Sequence, residues 1–336
     1  MGKIEEAARS LIVPFADTEL EHRVRSRLGE VETRLGEAVR SDHEFVTETG
    51  RHLLQAGGKR FRPLLVVLGA EFGDPYAEGI ITAATVVELT HVATLYHDDV
   101  MDEAALRRGA PSANHRWSNT VAILTGDFLF ARASDIMTAL EREDVQLQAR
   151  TFARLVQGQL AETRGPGPGD DPLRHYLAVL ADKTGSLIST SIRFGARLSG
   201  AGERIETLLT DFGEKIGVAF QLSDDLLDVA SDSSRSGKAA GTDLREGIPT
   251  LPVLLALRST RPEDERLRTL LSGPLTEDEP HAEALELLRA HPAIEQSREF
   301  VQARAEEARA VLEDLPSIPA TEALSALCDL VTTRMA

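Results

Sequence analysis

Aromatic residues make up only 4% of this chain. A core for 336 residues must therefore be filled by Leu, Val, Ala and Ile, the composition of stacked helices, and an all-α protein is expected. Cysteine is almost missing: Cys328 stands alone, which rules out an intramolecular disulfide, fits a reducing cytosol and leaves a thiol that packs rather than reacts. No run reaches the roughly 18 apolar residues of a membrane span. The N-terminal M-G-K-I-E-E-A-A-R-S-L-I-V-P lacks the uninterrupted apolar stretch of a signal peptide. A cytoplasmic protein with no transmembrane segment is expected. Met1-Gly2 is half of a myristoylation signal, but Glu6 stands where Ser or Thr is needed. Positive charge is scarce, 37 Lys and Arg against 54 Asp and Glu for a net −17, so nucleic acid is not an expected partner. Phosphate ligands held through metals stay open. There is no 20 to 50 residue repeat and no composition typical of disorder.

Against these absences, two stretches are rich in aspartate: H-V-A-T-L-Y-H-D-D-V-M-D-E-A-A-L-R-R from His91 to Arg108, and Q-L-S-D-D-L-L-D from Gln221 to Asp228. At 3.6 residues per turn Asp98 and Asp102 share a helix face, as do Asp224 and Asp228, with Asp99 and Asp225 one step round. Like charges four apart destabilise a helix by a few tenths of a kcal/mol per pair, and a hard divalent cation compensates. One acidic helix end is ordinarily a solvated face. Two, each ending an apolar helix, point to several Mg²⁺ ions.

In chain order, Asp17 to Arg40 reads as an amphipathic helix capped near Asp17 or Thr18, and Ser41 with Glu44 has capping-box spacing for a helix that stops at Gly57-Gly58. Arg62-Pro63 opens a helix that ends by Gly73, and Asp74-Pro75 is a turn. From Tyr76 to about Glu103 the chain is apolar on nearly all faces, a buried central helix that delivers the first aspartates. Arg107 to Ser118 is a loop; a second buried helix follows from Asn119 to about Leu140, and Asp144 to Arg164 is helical. G-P-G-P-G-D-D-P at 165–172 is a surface loop within one domain. Leu173 to Leu198 is helical but broken at Lys183-Thr184-Gly185, and Arg204 to Val229 carries the second cluster. The polar, glycine-rich 231–247 has the composition of a mobile lid, and Thr250 to Ala336 reads as peripheral helical scaffold. The two motifs are 126 positions apart (224 − 98), too far to be neighbours in a hairpin, which leaves open that they face each other across a bundle.

With G-G-K-R-F-R-P at 57–63, R-R-G at 107–109, and G-K-A-A-G-T-D-L-R-E-G-x-x-T-L-P, the chain resembles the trans-polyprenyl diphosphate synthases. The resemblance covers about residues 50 to 255, with five motifs in the same order and spacing. It implies the isoprenoid-synthase fold, an all-helical bundle around a central cavity, as one synthase domain over 1–336. It also implies the family reaction, in which an allylic diphosphate ionises, the double bond of isopentenyl diphosphate attacks the cation and a proton leaves. Developing charge on departing diphosphate calls for metal ions and fixed cations rather than a protein nucleophile.

By match to the family motifs, Asp98, Asp102 and Asp224 are direct ligands of Mg²⁺, three ions in all. Asp99, Asp225 and Asp228 are helpers or water-mediated contacts, with Asp228 counted in the metal set. Arg107 holds the allylic diphosphate; Gly58, Lys59, Arg62, His91 and Arg108 form the cradle for isopentenyl diphosphate. Lys183, Thr184, Gln221 and Lys238 match positions that contact the allylic diphosphate or its departing charge. Arg60 and Phe61 have weaker claims, Arg60 reading equally well as a plain surface charge. Ile248-Pro249 replaces the lysine common after L-R-E-G, which removes one cation near the lid. Ala93 and Thr94, the fifth and fourth positions before Asp98, are small where short-chain relatives carry an aromatic blocker. A product longer than fifteen carbons is expected, with the twenty-carbon product as runner-up. A homodimer is expected because the helices from Tyr76 and Asn119 are too apolar for a solvated face. A terpene cyclase would share the first cluster but would not need the G-G-K-R cradle, and the scaffolding subunit of a heteromeric synthase typically lacks the aspartates, all six of which are kept here.

Overall fold

A computed structural model describes residues 13–230 and 240–334. Among these residues the chain is helical, apart from one two-residue antiparallel ladder, Leu106–Arg107 with Ala110–Pro111. No described helix is long and apolar enough to cross a membrane. The chain divides into two compact units: Met1–Ala153 with Leu187–Gly213 and Asp314–Leu324, and Arg154–Ser186 with Glu214–Glu313 and Ser325–Ala336.

In the first unit, the Thr18–Ala38 helix starts where Asp17 Oδ1 accepts the Leu20 N–H at 2.6 Å, and Leu20, Val24, Leu28, Val31 and Leu35 form its buried stripe. Glu44–Gln55 is helical, but the capping box expected at Ser41 is not made. His43 is the N-cap residue, and Ser41 lies outside the helix, its Oγ accepting from the His43 N–H at 3.3 Å. Ile80–Met101 is the central helix, packed by Asn119–Met137, Phe61–Ala70 and Thr18–Ala38. It begins four residues later than the apolar run implied. Asp74 holds a turn by accepting the Tyr76 N–H, and Gly79 enters the helix in the left-handed region with φ +94°. The expected loop after Arg107 contains the small ladder and a one-turn helix, Ala113–Arg116. Asn119–Met137 is not buried all round as the sequence implied, because Ile123 and Leu124 stand 43% and 61% exposed on one face.

In the second unit, Asp171 caps Pro172–Leu180 by accepting the N–H groups of Leu173 and Arg174. The break expected at Lys183-Thr184-Gly185 is a π turn, Ala181–Gly185. Leu251–Leu257 packs on Ala293–Leu312 and Pro172–Leu180, and Asp278–Ala290 packs on Ala293–Leu312. Of the segment read as a lid, 231–239 lie outside the described residues and Thr242–Glu246 is a short helix.

Candidate active site

The first unit builds a cation cradle around one buried carboxylate. Glu88, the only acid in the run I-I-T-A-A-T-V-V-E-L-T-H, is 2% exposed and accepts from Arg60 Nη1 at 3.0 Å, with Arg108 Nη2 4.0 Å away. Arg60 also pairs with Glu32 and donates to the Leu54 carbonyl at 3.0 Å. Arg60 is thus a buried structural cation rather than a surface charge. Arg108 reaches back from the tight turn of the ladder, where Arg108 and Gly109 both have positive φ, and donates to the carbonyls of Leu53 and Gly57. Gly58 leaves room for both guanidiniums, since a Cβ there would lie 2.6 Å from Arg60 Nη1 and 2.9 Å from Arg108 Cζ. Lys59 is exposed next to them.

Concentrated positive charge sets the protonation of this cradle. Burial pushes Arg62 down to about 10, with Glu88 opposing and Arg108 adding to the fall. Its Nε is buried with no hydrogen-bond partner, an N–H ready for an anion. His91 is driven far below the usual histidine value by burial and then by Arg62, Arg108, Arg60 and Arg107, so its ring is neutral. Three guanidiniums and a neutral imidazole against two carboxylates make a site suited to a multiply charged anion.

Asp98 and Asp99 occupy the last turn of the same helix, and Asp102 is its C-cap residue, donating its N–H to the Asp98 carbonyl at 2.8 Å. Asp99 is fully buried. Arg107 Nε donates to Asp99 Oδ1 at 2.5 Å, and Arg107 Nη2 lies 3.7 Å from Asp102 Oδ2. Burial raises the Asp99 pKa while Arg107 opposes the rise, and Asp99 Oδ2 has no hydrogen-bond partner. Ala93 is fully buried and its carbonyl lies 3.2 Å from where a Cβ on Gly126 would stand; Thr94 is half-buried and donates to the His91 carbonyl.

In the second unit, Thr184 donates to Gln221 Oε1 at 3.1 Å, Gln221 donates to Asp225 Oδ1 at 2.8 Å, and the Tyr176 hydroxyl donates to Asp225 Oδ2 at 2.5 Å. Burial pushes Asp225 up to about 6, against these donors. Asp224 pairs with Arg334 at 2.8 Å and Lys183 with Glu162 at 2.5 Å. Asp228 Oδ2 accepts the Asp243 N–H at 3.1 Å, and Asp243 is itself pushed up to about 8 by burial and by Asp225 and Asp228. Lys238 lies outside the described residues.

Each set of expected residues is therefore gathered within its own unit. Glu88, Glu32, Tyr176 and Asp243 belong to these networks and were not singled out from sequence. A lone acid in an apolar run was the available signal for Glu88; the others carry none. Among the described residues no three acidic, histidine or cysteine side chains converge to hold a metal by themselves. The donors proposed for a metal, Asp98, Asp102, Asp224 and Asp228, are hard carboxylate oxygens of the kind that Mg²⁺ takes one or two at a time while filling its shell with water and phosphate.

Residues 43–288 match the polyprenyl synthetase family model, and the chain belongs to that family. Its helical architecture is the isoprenoid-synthase fold. It is 46% identical over 323 residues to a nonaprenyl diphosphate synthase of Mycobacterium tuberculosis, covering 96% of each chain. It is 39% identical over 292 residues to heptaprenyl diphosphate synthase component 2 of Geobacillus stearothermophilus, covering 86% of this chain and 90% of that one. Among solved structures, geranylgeranyl pyrophosphate synthase of Corynebacterium glutamicum, complexed with calcium and isoprenyl diphosphate, superposes with a TM-score of 0.86 at 43% identity, covering 96% of this chain and all of that one.

Proposed function

We propose that this chain is an all-trans polyprenyl diphosphate synthase. It joins isopentenyl diphosphate head-to-tail to an allylic diphosphate and makes a product longer than fifteen carbons. The observation that carries this reading is the pairing, on one helix, of the Glu88-centred cation cradle with the carboxylates of Asp98, Asp99 and Asp102. His91 precedes Asp98 by seven residues, two turns or about 10 Å.

Lys59, Arg62, His91 and Arg108 hold the diphosphate of isopentenyl diphosphate, with neutral His91 adding a hydrogen bond and no further charge. Arg107 and Lys183 hold the allylic diphosphate, and Thr184 and Gln221 orient it. Asp98, Asp102, Asp224 and Asp228 hold Mg²⁺, three ions in all, which supplies charge stabilisation to the leaving diphosphate. Asp99 fixes Arg107 in place, and Asp225 is fixed by Tyr176 and Gln221. The allylic C–O bond breaks with its electron pair going to diphosphate oxygen. The isopentenyl double bond then supplies the pair for the new C–C bond, and a proton is lost. Lys238, which lies outside the described residues, is assigned a cation's role at the departing diphosphate by its motif match.

The names of the mycobacterial and Geobacillus relatives support a long product, and the small Ala93 and Thr94 agree; the Corynebacterium structure favours twenty carbons as the second reading. We read 1–336 as one synthase domain that works as a cytoplasmic homodimer, with Ile123 and Leu124 supplying apolar surface for the partner copy. The component 2 relative supports a heteromeric alternative. Burial pushes the Cys328 thiol up to about 12, consistent with a structural role. Incubation with farnesyl diphosphate and labelled isopentenyl diphosphate tests the reading. Labelled prenyl alcohols after dephosphorylation are expected, whereas loss of diphosphate without uptake of label makes the chain a terpene cyclase.

A further inference from the structure

We infer that Arg154 is a positioning residue for the allylic diphosphate, holding the π turn Ala181–Gly185 in the shape that presents Lys183 and Thr184; this rests on the roles proposed above for those two side chains. A π turn holds one residue more than an α-turn, and its hydrogen bond spans five positions in place of four. Here the Ser186 N–H donates to the Ala181 carbonyl, five positions back. Such turns are rare, and this one is braced from a neighbouring helix. Arg154, on the helix Arg142–Arg164, gives the same Ala181 carbonyl a second donor through Nη2 at 3.3 Å. Its Nε donates to Asp182 Oδ1 at 2.6 Å, while Nη1 and Nη2 donate to the two carboxylate oxygens of Glu214 at 2.6 and 3.0 Å. Glu214 belongs to the helix Glu203–Ala230, which also carries Gln221, the acceptor of the Thr184 hydroxyl. One planar fork thus ties the turn to two helices, a geometry that the single ammonium of lysine does not reproduce.

The bracing helix meets the turn along one face. Arg154, Gly158 and Glu162 follow one another at four-residue spacing on that face. Gly158 is buried, and a Cβ there would stand 2.6 Å from the Lys183 nitrogen and 2.9 Å from Asp182 Cβ, so the turn rests directly on helix backbone. Glycine weakens a helix interior, and close approach of two backbones is what it permits in return. One turn further on, Glu162 accepts from Lys183 Nζ at 2.5 Å. The face therefore reads, in order, an anchor for the start of the turn, a contact plane beneath it and a partner for its lysine. An arginine serving stability alone would do as well on any exposed carboxylates, where ion pairs contribute little. The bond to the Ala181 carbonyl, the acceptor of the π hydrogen bond, assigns Arg154 to the shape of the turn. Relaxation to α-turns would rotate the side chains before the turn by about 100° against those after it and would redirect Lys183 and Thr184.

The test uses the full chain with farnesyl diphosphate, labelled isopentenyl diphosphate and Mg²⁺, and takes KM for each substrate separately. Arg154→Met is expected to raise KM for farnesyl diphosphate by about fivefold or more and to leave KM for isopentenyl diphosphate within about twofold, because the cradle proposed for the latter lies in the other unit. Arg154→Lys keeps the charge, loses the fork and shifts the same KM. Gly158→Ala shifts it too, by pushing the turn away without touching an ion pair, and either variant carries the test if Arg154→Met does not fold. On a background of Lys183→Ala with Thr184→Ala, Arg154→Met is expected to add less than about twofold, since the side chains it positions are gone. A folded Arg154→Met or Arg154→Lys with the wild-type KM for farnesyl diphosphate overturns the inference, and so does a full further loss on that background. If the background itself leaves this KM unchanged, the roles proposed for Lys183 and Thr184 fail and the inference fails with them. A wild-type protein that takes up no label overturns the synthase reading.

Discussion

Asp98 and Asp224 carry different burdens from Asp99 and Asp225. The second pair is buried and held by Arg107, Tyr176 and Gln221, whereas the first is only half-buried, with Asp224 paired to Arg334, at the sites proposed for metal. Asp98→Ala and Asp224→Ala should each lose about 3 to 4 kcal/mol of transition-state stabilisation, the range of a lost contact to developing oxyanion charge. Steady-state kcat/KM measures it, and wild-type turnover in both variants contradicts the metal assignment. His91 gives a pH signature. Its folded pKa lies far below the ordinary 6.5, so below that pH the unfolded chain binds a proton that the folded protein refuses. Stability therefore falls as pH drops through 6.5, and it is held above 6.5. His91→Gln should flatten this acid limb. Urea midpoints taken on either side of 6.5 check it, and an unchanged slope in the variant assigns the limb to other groups. The roles proposed for the aspartates and for G-G-K-R come from the family resemblance, but the grouping of Asp98, Asp99 and Asp102 at one helix end was legible in the sequence, because helical spacing fixes it. The tying of Arg60 to Glu32 and Glu88 was not, since it joins residues 28 positions apart on each side and depends on tertiary packing.

At the scale of elements, apolar periodicity located the helices but not their ends. The run from Tyr76 promised a longer helix than Ile80–Met101, because the left-handed Gly79 and the Asp74 turn override apolar pattern at the entry. The apolar character of Asn119–Met137 was read as burial, yet one face is open, since an apolar stripe looks the same whether its own fold or another chain covers it. The break at Lys183-Thr184-Gly185 was visible as a glycine within a helix, and it is a π turn of the kind found at functional positions. Helix contact also sharpens the expectation for Ala93. Its carbonyl sits against Gly126 of the neighbouring helix, so Ala93→Phe should cost about 1 to 3 kcal/mol of overpacking. It should also shorten the product. Thermal unfolding and chromatography of the dephosphorylated products check both, and a folded variant with unchanged product length contradicts the role of Ala93.

At the scale of the whole molecule, the exposed Ile123 and Leu124 account for the proposed homodimer, and light scattering is expected to give twice 36.5 kDa. A strict monomer at micromolar concentration contradicts it. The fold and family were legible from motif order alone, and the small Ala93 and Thr94 before Asp98 pointed to the long product that the names of the relatives support. In the proposed reaction these cations and carboxylates would hold an allylic diphosphate, the carboxylates through Mg²⁺, while it ionises and alkylates isopentenyl diphosphate. The most direct measurement is diphosphate release from farnesyl diphosphate in the presence of isopentenyl diphosphate, followed with Mg²⁺ and after its removal by EDTA. Release that matches isopentenyl uptake one for one, stops with EDTA and returns when Mg²⁺ is restored is the predicted result; release that continues at the same rate without the metal contradicts the account.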